Sequence, residues 1–217
     1  MLFVRQIDDI TAQGAKIRAQ LRALLYRHEY PGNTKNLVLM AYVDIALEHH
    51  AAIWLLTKSG LYGSAFAMVR LVFDTMLRAY WINKVATEQQ IEQATQDELD
   101  WRRIKVRRDI KECYGDKSDP EAMELLDRFS KIINEVWKAT SSYTHSGGLQ
   151  IGRRFTGDHV KSNYSEGHIA QALNLATVAL LLLVHMFFVS MSCDKEGQEV
   201  LTLLRQHHAS IKEANRR

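Results

Sequence analysis

Apolar side chains recur every three or four positions along most of this chain, which is the spacing of one face of an α-helix. The pattern predicts amphipathic helices over residues 5–28 and 34–59, with breaks at Pro31 and Gly60. Residues 61–85 have apolar groups almost all round, so this helix is expected to cross the middle of the domain.

The second half of the chain predicts further helices and one irregular connection. The helices cover residues 87–114, 118–140, 165–193 and 195–211, and the first of these is charge-dense, which is typical of a solvated helix. Glycines and polar residues dominate 146–163, so this stretch is predicted to be one long irregular loop. A loop of this length in a compact domain is often functional.

Composition supports a single all-α domain built as an antiparallel helical bundle over residues 1–217. Two prolines and 11 glycines provide too few turn signals for a β-sandwich or barrel. The chain is long enough to bury its own core. Cys113 and Cys193 form neither a disulfide framework nor a metal-ligand spacing. Together with a start that lacks a secretory signal, this predicts a soluble cytoplasmic protein.

Residues 175–192 form an apolar run that approaches the length of a transmembrane helix. His185 lies near its middle, Asn174 and Thr177 lie near its start, and neither end has a strong basic cluster. A buried core helix is therefore the preferred interpretation, with His185 as a hydrogen-bonded core histidine and no membrane contact.

The helix over 61–85 carries a charged pair, Arg70 and Asp74, within its apolar face. The two side chains are one turn apart, and charged groups in such surroundings are almost always paired. Two interpretations remain open. The pair is either a structural brace between helices, or a means by which Asp74 aims Arg70 into a cleft.

His145 stands where a predicted helix gives way to glycines, beside several hydroxyl groups. A histidine in that position suits general acid/base chemistry, or it caps the helix C-terminus. Arg153 and Arg154 follow in a glycine-containing loop, so they are candidates for binding phosphate or another anion. For the two arginines, a solvated basic loop is the plainer alternative. Lys138 is a further candidate cation.

Glu48 and His49 on the second helix are candidates for lining the same cleft, although a solvated face explains them equally simply. Consecutive His49 and His50 cannot both face one metal ion from a single helical turn. No metal site and no cofactor are expected. The net charge of +3 is too small to indicate a nucleic-acid partner by itself.

The combination RLVFDTMLRAYW and, about seventy residues later, SSYTHSGGLQIGRRFTGDHV resembles bacterial proteins of unknown function related to the HEPN superfamily. The resemblance spans about residues 36–193. It implies a bundle of four or five helices, a homodimer, and metal-independent ribonuclease activity in phage defence or toxin-antitoxin systems. An antitoxin or defence-system protein is the partner that it implies.

His145 matches the histidine of the HEPN signature, in which an arginine and a polar residue precede it on the same helix. Residues 138–141 read Lys-Ala-Thr-Ser and supply no arginine at that distance, so Arg70 or Arg153 would have to replace it in space. The resemblance implies that His145 transfers a proton while an arginine stabilises the phosphoryl transition state. The alternative is a noncatalytic dimerisation or binding module for a partner protein or a nucleotide.

Overall fold

The computed structural model describes residues 2–114, 131 and 134–214. Within them, two short strands accompany a set of helices, which confirms the all-α bundle. The elements are α1 (Leu2–Leu25), α2 (Thr34–Lys58), α3 (Tyr62–Lys84), α4 (Glu88–Thr95), α5 (Val106–Tyr114), α6 (helical over 134–144), α7 (Gly148–Gly152), β1 (Phe155–Thr156), β2 (His159–Val160), α8 (Glu166–Ser190) and α9 (Asp194–Ala214). The predicted helix start at 118–120 lies outside the described residues.

Local signals in the sequence fix the ends of the long helices. The Asn33 side chain accepts a hydrogen bond from the Asn36 N–H at the start of α2, and the Ser165 side chain accepts one from His168 at the start of α8. Both satisfy N–H groups that lack a partner within the helix. Gly60 follows α2 with a φ of +70°, which a glycine adopts without strain.

Helix α8 lies at the centre of the bundle and packs against α1, α2, α3 and α9. Its inner face is fully buried, as shown by Leu180, Leu181, Leu183, Phe187 and Phe188. His185 donates a hydrogen bond through Nδ1 to the Gly197 carbonyl at 3.1 Å, as expected for a core histidine. Both α2 and α8 are long and apolar enough to span a membrane, a test that core helices of soluble proteins also pass.

The prediction of one helix over 87–114 is wrong between 96 and 105. Helix α4 ends there, and Asp97 has a φ of +57°. The Trp101 ring packs edge-on against Trp81, with ring centroids 5.6 Å apart. Leu99 and Ile104 pack on the core beside it. A straight surface helix would leave these apolar groups in solvent, so their burial favours the break.

The predicted irregular loop over 146–163 also contains regular structure. It folds into α7 and an antiparallel hairpin, in which Phe155 pairs with Val160 and Thr156 with His159. Gly157 stands at the first central position of the turn with a φ of +59°, the backbone that a two-residue type II′ turn requires. Residues 146–163 are therefore structured, and Gln150 and Arg154 within them lie over Gly63 near the start of α3.

Candidate functional site

One face of α3 contacts α6, α7 and the residues after the hairpin along much of its length. Near the start of α3, Gly63 lies beneath side chains of Gln150, Arg154 and Tyr164. One turn further, the Phe66 ring lies 4.8 Å from that of Tyr143. Arg70 follows one turn later and contacts α6, so the face of α3 that carries the Arg70–Asp74 pair is a contact surface.

Arg70 and Asp74 form the predicted ion pair. Arg70 Nε lies 3.1 Å from both carboxylate oxygens of Asp74. Nη1 donates to the Ser141 hydroxyl and to the Trp137 carbonyl on α6. The Arg70 side chain is 13% exposed and that of Asp74 is 23% exposed. The pair therefore joins α3 to α6, and a small part of it remains accessible to solvent.

Cations surround the Trp137 ring and the Asp74 carboxylate. The Arg70 guanidinium lies 3.3 Å from the centre of the Trp137 ring, and that of Arg107 lies at 4.8 Å. Burial raises the pKa of Asp74, while the positive charges of Arg70, Arg78 and Arg107 oppose that effect. Three guanidinium groups near one carboxylate give this part of the surface a positive balance, which favours an anionic ligand.

His145 is exposed just beyond the last turn of α6. Its backbone N–H donates to the Ser141 carbonyl at 3.1 Å, so His145 follows Ser141 by one helical turn. The Ser142 hydroxyl accepts a hydrogen bond from the Leu149 N–H at 2.9 Å, and this bond holds the turn between α6 and α7. A Cβ at Gly147 would lie 2.7 Å from the Ser142 hydroxyl oxygen, so this close approach requires glycine.

Arg153 and Arg154 point to different neighbours. Arg153 Nη2 lies 3.2 Å from both ring nitrogens of His168 in the first turn of α8. Arg154 is exposed, and its Nη2 atom lies 3.2 Å from the position that a Cβ on Gly63 would take. Of the two arginines, Arg154 is thus the one that lies beside α3.

The remaining predicted site residues are Lys138, Glu48 and His49. Lys138 is exposed on α6, next to Trp137 in sequence. Glu48 is exposed and His49 half-buried on α2, where burial lowers the pKa of His49 and Glu48 opposes the shift. Among the described residues, no hydrogen bond or ion pair joins Glu48 or His49 to Arg70 or Asp74. Glu48 and His49 therefore do not join Arg70 and Asp74 in one cleft through a hydrogen bond or an ion pair.

Sequence reasoning missed several residues that complete this surface. Ser141 carries a recognisable signal, because it stands four residues before His145 and hence on the same helical face. Gln150 and Tyr164 carry none, since their positions depend on how distant segments pack. Within the described residues, no group of three histidine, cysteine or acidic side chains is placed to hold a metal ion.

The family of unknown function DUF6988 matches residues 43–213, and this chain belongs to it. The matched range begins within α2 and ends within α9, so it includes the whole of the surface described above. No curated protein matches the chain. No solved structure matches it either.

Proposed function

We propose that this protein is a metal-independent endoribonuclease of the HEPN type, in which His145 transfers the proton and Arg70 stabilises the scissile phosphate. The observation that carries the proposal is the hydrogen bond from Arg70 to Ser141. Ser141 precedes His145 by one turn, about 6 Å along the helix axis. The guanidinium from α3 therefore stands close to where the HEPN signature has its arginine on the histidine helix.

Arg70 retains donors for a ligand. Its Nε and Nη1 atoms are engaged by Asp74, Ser141 and the Trp137 carbonyl. Among the described residues, no acceptor lies within hydrogen-bond distance of Nη2, which carries two N–H groups. Asp74 and Trp137 fix the orientation of the guanidinium, and a fixed donor stabilises developing charge without reorganisation.

The proposed reaction forms a 2′,3′-cyclic phosphate. The His145 imidazole removes the proton from the RNA 2′-hydroxyl, and the resulting oxygen attacks the adjacent phosphorus. The bond from phosphorus to the 5′-oxygen breaks, and this oxygen leaves with a proton supplied by a second imidazole. In a homodimer, the His145 of the other copy would supply it. The reaction needs one neutral imidazole as the base and one protonated imidazole as the acid.

A homodimer and a restraining partner belong to the same proposal. Apolar side chains of α7 and the hairpin are exposed, namely Leu149, Ile151, Phe155 and Val160. Exposed apolar groups concentrated in one segment are typical of an interaction surface. We propose that this segment contributes to dimer formation, and that an antitoxin or defence-system protein restrains the nuclease in the cell. Sedimentation of the purified chain would test the dimer.

The activity is tested by incubating purified protein with total RNA and tRNA in EDTA and identifying fragment ends by mass spectrometry. We expect cyclic phosphate ends from the wild type and none from His145→Ala. The control is His208→Ala, because His208 is an exposed histidine on α9, outside the segment proposed to form the dimer. Equal cleavage by His145→Ala, or no cleavage by folded wild type, would overturn the proposal.

A noncatalytic binding module is the second candidate. It is favoured by the extent to which Asp74, Ser141 and Trp137 already engage Arg70, since a guanidinium held in this way also serves as a brace between helices. This candidate predicts that the wild type binds a partner protein or a nucleotide and cleaves no RNA. Binding that survives in His145→Ala, without cleavage by either form, would support it.

A further inference from the structure

Three polar side chains converge on the backbone of Gly63 near the start of α3. A methyl group at this position would lie 3.0 Å from Tyr164 Oη, 3.1 Å from Gln150 Nε2 and 3.2 Å from Arg154 Nη2. Gly63 itself is buried beneath them. These four residues are called the Gly63 cradle below. A side chain larger than hydrogen would crowd all three polar atoms.

The converging atoms are donors that lack an acceptor. Tyr164 Oη is buried without a hydrogen-bond partner. Gln150 Nε2 and Arg154 Nη2 make no hydrogen bond to a described residue, and Gln150 Oε1 is likewise buried without a partner. A buried donor without an acceptor costs about 1–3 kcal/mol, so such groups usually face a ligand or water. Burial raises the pKa of the Tyr164 hydroxyl, which therefore stays protonated and able to donate at neutral pH.

The backbone beneath the cradle adds further donors. Helix α3 begins at Tyr62, and the preceding residue, Leu61, provides no side-chain cap for the first-turn N–H groups. These groups and the helix dipole favour negative charge. The Arg154 guanidinium supplies a full positive charge at the same place. A tetrahedral oxyanion offers several acceptors at once, and so matches this set of donors better than a single water molecule.

We propose that the Gly63 cradle binds a phosphate group of the RNA substrate, distinct from the phosphate at Arg70. This inference rests on the proposed function for the identity of the ligand. Gly63 and Arg70 are two turns apart on one face of α3, about 10 Å along the helix axis. A single RNA strand that follows the exposed side chains of Arg154 and His145 would place one phosphate at the cradle and the scissile phosphate near Arg70 and His145.

The first test uses inorganic phosphate as the probe, titrated into the full chain and followed by NMR or calorimetry. Gly63→Ala fills the cradle, and we expect at least a tenfold loss of phosphate affinity. The matched control is Gly167→Ala, because an added Cβ there meets nothing within 4 Å. Arg154→Gln removes the charge from an exposed residue, and so tests the site if Gly63→Ala disturbs folding. Circular dichroism confirms folding in each case.

The second test asks whether a short RNA oligonucleotide competes with phosphate. Binding that is lost in Gly63→Ala and Arg154→Gln, kept in Gly167→Ala and displaced by RNA would support the proposal. Phosphate that binds but is not displaced by RNA would overturn the RNA assignment. No phosphate binding by the wild type would overturn the cradle, and would indicate that Gln150 Oε1 turns towards Tyr164 and Arg154. Cleavage that depends on His145 is measured in its own assay, so the phosphate site and the nuclease activity can each fail without the other.

Discussion

Acidification from pH 7 to pH 5 should destabilise the bundle through His50, which is buried as a neutral imidazole. His50 on α2 is 4% exposed. Its Nε2 atom lies 3.0 Å from the Thr177 hydroxyl on α8, and its Nδ1 atom lies 3.4 Å from the Arg18 guanidinium on α1. Burial, the charge of Arg18 and the proximity of His207 on α9 lower the pKa of His50 to about 4.

The magnitude follows from the difference between the folded and unfolded pKa values. An unfolded histidine titrates near pH 6.5. Below pH 6.5 the His50 imidazole is protonated in the unfolded chain, whereas in the native protein it stays neutral until about pH 4. The free energy of unfolding therefore falls as the pH drops through this window. At pH 5 the single site should lower the free energy of unfolding by about 2 kcal/mol. Burial also lowers the pKa of His207, which acts in the same direction.

Urea unfolding followed by circular dichroism at pH 7 and pH 5 measures this loss. In His50→Gln the decrease between the two pH values should be smaller than in the wild type by about 2 kcal/mol. His159→Gln is the matched control, because His159 is exposed and its loss should leave the decrease unchanged. An equal decrease in wild type and His50→Gln would refute the argument that buried His50 is neutral.

Two further substitutions test the contacts that shape the site. Gly147→Ala places a Cβ 3.1 Å from the Ser142 Cα, so thermal unfolding should show a loss of about 1–3 kcal/mol, whereas Gly148→Ala, with nothing within 4 Å, should show none. Arg70→Gln leaves the Asp74 carboxylate without its partner and should cost roughly 3 kcal/mol, and adding Asp74→Asn should recover part of it. A double variant no more stable than Arg70→Gln would contradict the ion-pair argument.

The long helices could be predicted because their signals are local. Asn33 and Ser165 cap α2 and α8 as their positions before apolar stretches indicate. The spacing of Arg70 and Asp74 likewise predicts their ion pair, since one turn of helix is enough to bring them together. In each case, residues within a few positions of one another determine the structure.

Features that depend on distant contacts could not be predicted. Charge density over 87–114 indicates one exposed helix, but Trp101 breaks it by packing against Trp81, some twenty residues away. Similarly, nothing near Gly63 in the sequence indicates that Gln150 and Tyr164 cover it. The sequence therefore identified charged candidates, while the uncharged donors around them emerged only with the packing of α7 and α8.

The central position of α8 has a consequence for the synthesis of this protein on the ribosome. Helices α1, α2 and α3 all pack against α8, yet about 100 residues separate the end of α3 at Lys84 from the end of α8 at Ser190. At roughly 5–20 residues per second, translation of that interval takes roughly 5–20 s. During this time the nascent helices lack their apolar partner, so binding of a chaperone to the growing chain is expected.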